Sequence, residues 1–335
     1  MKRIYRLGLG TVALLLLTGS AVAAASLEEQ LDLRPQEATR GQSRDVADGW
    51  MSLGNEQLAT GNLTEAINSW TEAAEIYWLL GDGQSAGRAY GSMGAAFANL
   101  GRYAEAERAF VLRVGTARDN NDALGQVYGL NNLGNLYVSR GRLLEGQTYF
   151  EEALQIARTT GDSRAIGVSL SNLGQVATQR GDLDAAVELL EAATNYRILA
   201  SDYVGEAHSS NSLGDVYVSL GRNTNAIGAY RVALRSGREA GDRSLQIRAL
   251  DGLLGIYLEQ GDLMLVKDYL NQRAALTMDD DDLQTALTYR WLGDYYLQLE
   301  DAELARRAFT QGLALARSLD QKSLEAELTN RLLDF

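Results

Sequence analysis

A 40-residue period runs through this chain. Glycines fall at Gly54, Gly94, Gly134, Gly174 and Gly214, each 40 residues after the last. A second glycine series trails the first by seven: Gly61, Gly101, Gly141, Gly181, Gly221 and Gly261. A third series is acidic, at Asp82, Asp122, Asp162, Asp202, Asp242, Asp281 and Asp320. A fourth is small, at Ala66, Ala106, Gly146, Ala186, Ala226 and Ala305, with Val266 in the sixth place. Four series in one register demand a fold made by stacking a single supersecondary unit.

The third unit shows what that unit is. Leu133, Gly134 and Tyr137 lie on a segment that ends at Gly141, where glycine can take positive φ and close a helix. A second helix starts near Leu143 and carries Gly146, Phe150 and Ala153 at i, i+4 and i+7. It reaches Thr160 before the Gly161-Asp162 turn, where the Asp162 carboxylate is placed to cap the next helix. Each unit is therefore two helices of about 17 residues joined by short turns. Gly134 and Gly146 are expected to face each other, with Tyr137 and Phe150 filling the flanks. A single proline in 335 residues agrees with long helices.

These residues resemble the tetratricopeptide repeat. Its pattern W-x2-L-G-x2-Y, followed by A-x3-F, is met by Trp50-x2-Leu53-Gly54, Leu133-Gly134-x2-Tyr137 and Leu213-Gly214-x2-Tyr217. The second half is met by Ala106-x3-Phe110 and Ala305-x3-Phe309. The period is 40 where 34 is usual, and the closing proline is missing. This longer form is similar to the repeats of kinesin light chains and of LGN-type polarity adaptors. The resemblance implies an all-α, right-handed superhelical solenoid of about seven helix pairs with a peptide-binding concave groove.

Two units deviate. Leu254 replaces the repeat glycine of unit six while Val266 replaces its facing alanine, so this pair should stand furthest apart. In unit seven Glu300 replaces the turn glycine. Leu324, Leu328 and Leu332 then recur every four residues, as in a helix that caps the open apolar end. The expected organisation is a signal peptide over 1–25, a leader over 26–42, seven repeats over 43–320 and a capping helix over 321–335.

At the N-terminus Lys2, Arg3 and Arg6 precede an apolar run from Leu7 to Leu17, then small residues through Ala25. The run is shorter than the roughly 20 residues of a membrane span. It reads as an export signal cleaved near Ala23 or Ala25, placing the mature chain in the periplasm or outside the cell. The net charge of −13 repels phosphate and argues against nucleic acid as a partner. With no cysteine, disulfides and thiol catalysis are excluded.

By the resemblance, the groove positions lie six, three and two residues before the repeat glycine and one and five after it. They hold Asn99, Asn131, Asn132, Asn135, Asn172, Gln175, Gln179 and Asn211, with Arg88, Arg248, Tyr128 and His208 around them. Primary amides both donate and accept hydrogen bonds, which suits the backbone of an extended peptide. The run Asp279 to Asp282 is expected to be a turn with Asp281 as helix cap, since it lacks EF-hand spacing. His208 is the only histidine and cannot form a zinc pair or a triad alone. Trp50 and Trp70 match core positions, and Trp78 is expected to pack.

No catalytic motif or cofactor fingerprint is present. The leading reading is an exported, non-enzymatic scaffold for a peptide or protein segment. A second rests on layout: an export signal before a repeat array resembles processing-associated tetratricopeptide factors of photosystem II assembly, which would imply bound manganese. A third is self-assembly through an open N-terminal face.

Overall fold

The computed structural model describes residues 37–278 and 282–333. The proposed signal peptide and most of the leader lie outside these residues. The described residues form fifteen helices and no strand. In order they are α1 (Glu37–Ala59), α2 (Leu63–Leu79), α3 (Gly83–Asn99), α4 (Tyr103–Asp119), α5 (Ala123–Ser139), α6 (Leu143–Thr160), α7 (Ser163–Arg180) and α8 (Leu183–Leu199). They continue as α9 (Tyr203–Ser219), α10 (Asn223–Glu239), α11 (Arg243–Gln260), α12 (Leu263–Thr277), α13 (Leu283–Gln298), α14 (Ala302–Ser318) and α15 (Lys322–Leu333). Odd and even helices alternate as seven antiparallel pairs, and α15 closes the array. The first helix begins at Glu37, inside the segment expected to be leader.

Both turns of a unit place a residue at positive φ, and between pairs Gly81, Asn121, Gly161, Ser201 and Gly241 do so. Within pairs, glycines at positive φ close the first helix, as at Gly141 (φ 75°), and Glu300 takes that conformation in unit seven (φ 58°). Between pairs an aspartate caps the incoming helix: Asp82, Asp122, Asp162, Asp202 and Asp242 each accept a hydrogen bond from the backbone N–H three residues on. Such a cap contributes about 1 kcal/mol.

Two members of the acidic series are corrected. Asp282, not Asp281, caps α13 by accepting from the Thr285 N–H. α12 ends at Thr277, so the turn is longer here and the cap moves to its last residue. Asp320 sits at φ 53° and fills the left-handed turn position instead of capping.

The repeat glycine is a seat for a side chain of the second helix, a ring in every case but Gly174, which receives Leu190. A Cβ on Gly134 would lie 2.3 Å from Phe150 Cε1, and one on Gly94 2.4 Å from Phe110 Cε1. Gly54 receives Trp70, Gly214 receives Tyr230 and Gly293 receives Phe309 in the same way. Phe150 therefore lies on Gly134 instead of beside it, while Gly146 packs against Val138 and the Gly134 carbonyl. Burying such a ring contributes about 1.5–3 kcal/mol. In unit six Leu254 and Val266 are both fully buried, and α11 and α12 are the most loosely apposed of the seven pairs. On α15, Leu324 and Leu328 are buried against α13 and α14 as an end cap requires. Trp70 is core as expected, whereas Trp50 is partly exposed on the first described helix and Trp78 is 67% exposed.

First helices touch their counterparts in the next unit, from α3 to α5 through α11 to α13, while no comparable contact joins second helices. The array therefore curves with the odd-numbered helices on its inner side.

Candidate functional site

The inner layer is held together by polar side chains that cross between units. Asn131 on α5 donates to the Ser169 hydroxyl on α7 (3.0 Å) and to the Val127 carbonyl (2.9 Å), and accepts from Asn172 Nδ2 (2.7 Å). Ser171 on α7 bonds Ser209 on α9 (2.8 Å), and Asn211 Nδ2 donates to the Leu245 carbonyl on α11 (3.2 Å). Asn131 is 2% exposed and Asn211 fully buried. These two are removed from the set of contact residues: three positions before the repeat glycine, a side chain points between helices, where both ends of the Asn131 amide are bonded and Asn211 joins units through Nδ2 while its Oδ1 has no partner. Buried polar groups with partners on two helices fix register.

The other groove positions reach the surface. Asn99, Asn132 and Asn135 line a cavity of about 350 Å³ between α3 and α5, beside Tyr103, Phe110 and Ser139. Asn172, Gln175 and His208 line one of about 240 Å³ between α7 and α9, with Ser212. Its floor carries an ion pair between Arg197 and Asp202. Arg248 lines a third of about 290 Å³ between α11 and α13, and its Nη2 pairs with Asp215 at 2.6 Å. Gln179 is exposed on the last turn of α7 and lines none of these three cavities. Arg88 is exposed and donates to Ser85 Oγ (2.8 Å), while Tyr128 is half-buried. Of the twelve positions, seven line three separate recesses, Asn131 and Asn211 are buried between helices, and Arg88, Tyr128 and Gln179 line none of the three.

The electrostatics of the groove are local. Burial works against the Asp202 carboxylate, but hydrogen bonds from Arg197 and the Gly205 N–H bring it below the usual carboxylate range. Burial and the nearby Arg248 lower His208, so its ring is neutral at pH 7. The Ser209 hydroxyl beside it is bonded to Ser171, not to the imidazole. Among the described residues no cluster of three histidine, aspartate or glutamate side chains could hold a metal ion. Asp282 has its carboxylate committed to the α13 cap and to Arg243 (3.5 Å), and the rest of that acidic run lies outside the described residues. Among the described residues no helix is long and apolar enough to cross a membrane.

Three side chains, Arg197, Arg273 and Arg113, went unnoticed in the sequence, and Asp202 was read only as a member of the acidic series. Arg197 and Asp202 form the floor of the second recess. Arg273 and Arg113 occupy equivalent places, each 19 residues after the repeat-glycine position of its own unit, where Ala73, Ala153, Ala193 and Ala233 stand elsewhere. That break in a column of alanines was readable. Arg273 is fully buried between α11, α12 and α13. It pairs with Asp251 (Nε to Oδ1, 2.6 Å) and donates to the Gln284 carbonyl (2.9 Å), Gln284 Oε1 (3.0 Å) and the Thr288 hydroxyl. Trp291 Nε1 also donates to Asp251 (2.7 Å).

Comparison with known proteins places this architecture. Solved structures that superpose on it include a signal transduction ATPase with a tetratricopeptide repeat sensor from Pyrococcus horikoshii, at TM-score 0.67 and 14% identity, over 87% of this chain and 45% of that one. BtubC from P. vanneervenii superposes at TM-score 0.57 and 18% identity, over 64% of this chain and 91% of that one. A Rap protein complexed with competence and sporulation factor superposes at TM-score 0.55 and 15% identity, over 88% and 83%. No curated protein matches the sequence. Two tetratricopeptide repeat models match residues 126–199 and residues 51–122 and 172–241, together more than half of the chain. With helix pairs, glycine seats and an inner first-helix layer as described, the chain belongs to the tetratricopeptide repeat family.

Proposed function

We propose that this protein is a non-enzymatic scaffold that holds an extended peptide or protein segment along its inner face, outside the cytoplasm. The carrying observation is the division of labour among the amides. Asn131, Asn172 and Asn211 are bonded within the array, whereas Asn132, Asn135 and Gln175 face the recesses with no internal hydrogen bond. Free amides on a rigid frame offer paired donors and acceptors to a backbone without demanding one side-chain sequence. A Rap protein in complex with competence and sporulation factor, and the Rap conjugation gene regulator of plasmid pLS20 in complex with the Phr* peptide, share the fold and support this reading. Export rests on the N-terminal sequence alone.

A photocrosslinking residue at Gln175 should capture a partner in the protein's own compartment, while one at the exposed Met264 on α12 should not. The captured segment, made as a peptide, is then titrated against a chain carrying Asn132→Ala, Asn135→Ala and Gln175→Ala. Each lost bond removes about 0.5–1.5 kcal/mol, so the triple variant should bind at least ten-fold more weakly at an unchanged melting temperature. Equal capture at both positions, or a folded triple variant that binds like the parent, rejects the groove.

A further inference from the structure

Arg113 and Arg273 hold the same place in their units, yet their surroundings are opposite. Arg273 is enclosed by Asp251, Gln284 and Thr288. Counted from the repeat glycine, those partners lie three before it in the arginine's own unit, then nine and five before it in the next. Around Arg113 the same three positions are Gly91, Gly125 and Gly129. All three partners have been stripped away.

The guanidinium they would have held is unpaired. Arg113 Nε is buried and has no hydrogen-bond partner. The arginine makes no ion pair or hydrogen bond among the described residues; Asp122 acts on it only from a distance, and the Tyr128 ring lies 5.9 Å from its Cζ. Its head fills the space over Gly91, where a Cβ would lie 2.0 Å from Nη1, and its shaft passes Gly129. Gly91 is buried and looks from α3 toward α4, while the half-buried Tyr128 belongs to the inner face of α5. One helical turn further along those two helices lie Ala95 and Asn132, which line the first recess with Asn99 and Asn135.

We propose that Arg113 is an anchor for a carboxylate of the bound segment, which takes the place that Asp251 takes against Arg273. This rests on the groove reading and names the partner's chemistry: a chain with an acidic group at one end of the stretch held over Asn132 and Asn135. A guanidinium presents a fork that a carboxylate fills with two hydrogen bonds, and a desolvated one binds it most strongly. The glycines are what make room for the guanidinium, and a side chain at 91 would meet its Nη1 directly.

The test observes the guanidinium directly in the full exported chain. The Nε–Hε resonance of Arg113 is assigned by its loss in Arg113→Ala, a change to the residue that four equivalent positions already carry. Three probes are titrated: N-acetylglutamate α-methylamide (a side-chain carboxylate), N-acetylglutamine (a chain-terminal carboxylate) and the neutral N-acetylglutamine methylamide. A saturable shift is expected from at least one acidic probe, at least ten-fold tighter than from the neutral one, and the responsive probe identifies which carboxylate fits. Gly91→Asp supplies the carboxylate internally. Its resonance should be shifted before any addition and should not respond further. A resonance that no acidic probe moves, that the neutral probe moves equally, or that still responds in Gly91→Asp overturns the anchor. Groove capture at Gln175 with a silent Arg113 rejects the anchor alone; loss of both rejects the groove as well.

Discussion

In the third unit, α5 and α6 meet through Gly134, and the Phe150 ring lies where a side chain would have been. In the sixth, Leu254 takes up that space, Leu270 stands in for the ring, and α11 and α12 are loosely apposed. Arg273 threads the junction and ties α12 to α11 and α13 through Asp251, Gln284 and Thr288. The first junction is apolar and close; the second is looser and adds a buried arginine network to its apolar core. Dispersion rewards close packing at every atom, whereas a buried ion pair must first offset its own desolvation. The sixth unit is therefore held by geometry that one substitution can undo.

The strongest way to break this contrast is Arg273→Ala. It leaves Asp251 without its cation and the Thr288 hydroxyl and two Gln284 oxygens without that donor, and removal of one member of a buried pair costs about 3–5 kcal/mol. Urea unfolding should show the loss, and hydrogen exchange should place it in α11 to α13, since repeat arrays lose stability locally. Adding Asp251→Asn should cost much less than it does in the parent chain, because the pair acts as one unit. Additive losses, or a single variant within about 0.5 kcal/mol of the parent, would show that Arg273 does not hold the junction.

Alanine at glycine positions sharpens the same contrast. Gly134→Ala drives a methyl into the Phe150 ring and should cost about 1–3 kcal/mol. Gly255→Ala, one residue past Leu254, meets nothing nearer than Trp291 Cη2 at 4.0 Å. Helix propensity then acts alone and should stabilise by about 0.5–1 kcal/mol. The two variants should move the melting temperature in opposite directions.

Capping differs too. Asp262 accepts from the Leu265 N–H and caps α12, while its counterpart Arg142 makes no side-chain cap on α6. Asp262→Ala should cost about 1 kcal/mol. Arg142→Ala loses an exposed pair with Glu145 and a contact over the Tyr137 ring (4.4 Å), and should cost less than Asp262→Ala in the same denaturant titration.

The period and the roles of the turns were legible because each is enforced locally. A glycine at positive φ and an aspartate three residues before a free N–H need no knowledge of the tertiary fold. The site was legible only as a face. Asn131 and Asn132 read alike in sequence, but a rotation of about 100° per residue puts one between helices and the other in a recess. The Asp281 assignment failed because residue counting cannot tell a shortened helix from a lengthened turn. Arg273 was passed over because a charged residue on an otherwise apolar face is normally taken as solvated.

The smallest effect joins the regular units to the irregular one through the position six before the repeat glycine. In unit five this is His208 and in unit six Arg248. Partial burial disfavours the charged imidazole, and Arg248 repels it further; Arg197 adds to the repulsion, while Asp242 and Asp202 oppose it. A depressed histidine value means the unfolded chain binds the extra proton more readily than the folded one. The stability contributed by the neutral ring is thus fully present above the ordinary value of about 6.5 and is lost as the pH falls toward the folded one. Because His208 lines an open recess, the effect on stability is slight, and the ring itself is the better reporter. Its NMR titration should give a midpoint below about 6.5. Arg248→Gln removes the nearest like charge and should raise that midpoint without restoring the ordinary value, because burial remains. It also releases Asp215, which keeps its bond from the Tyr230 hydroxyl (2.6 Å), so the α9 surface should hold its shape. A midpoint above the ordinary value, or one unmoved by Arg248→Gln, would mean that unit six does not reach across to unit five and that the two regions are electrically separate.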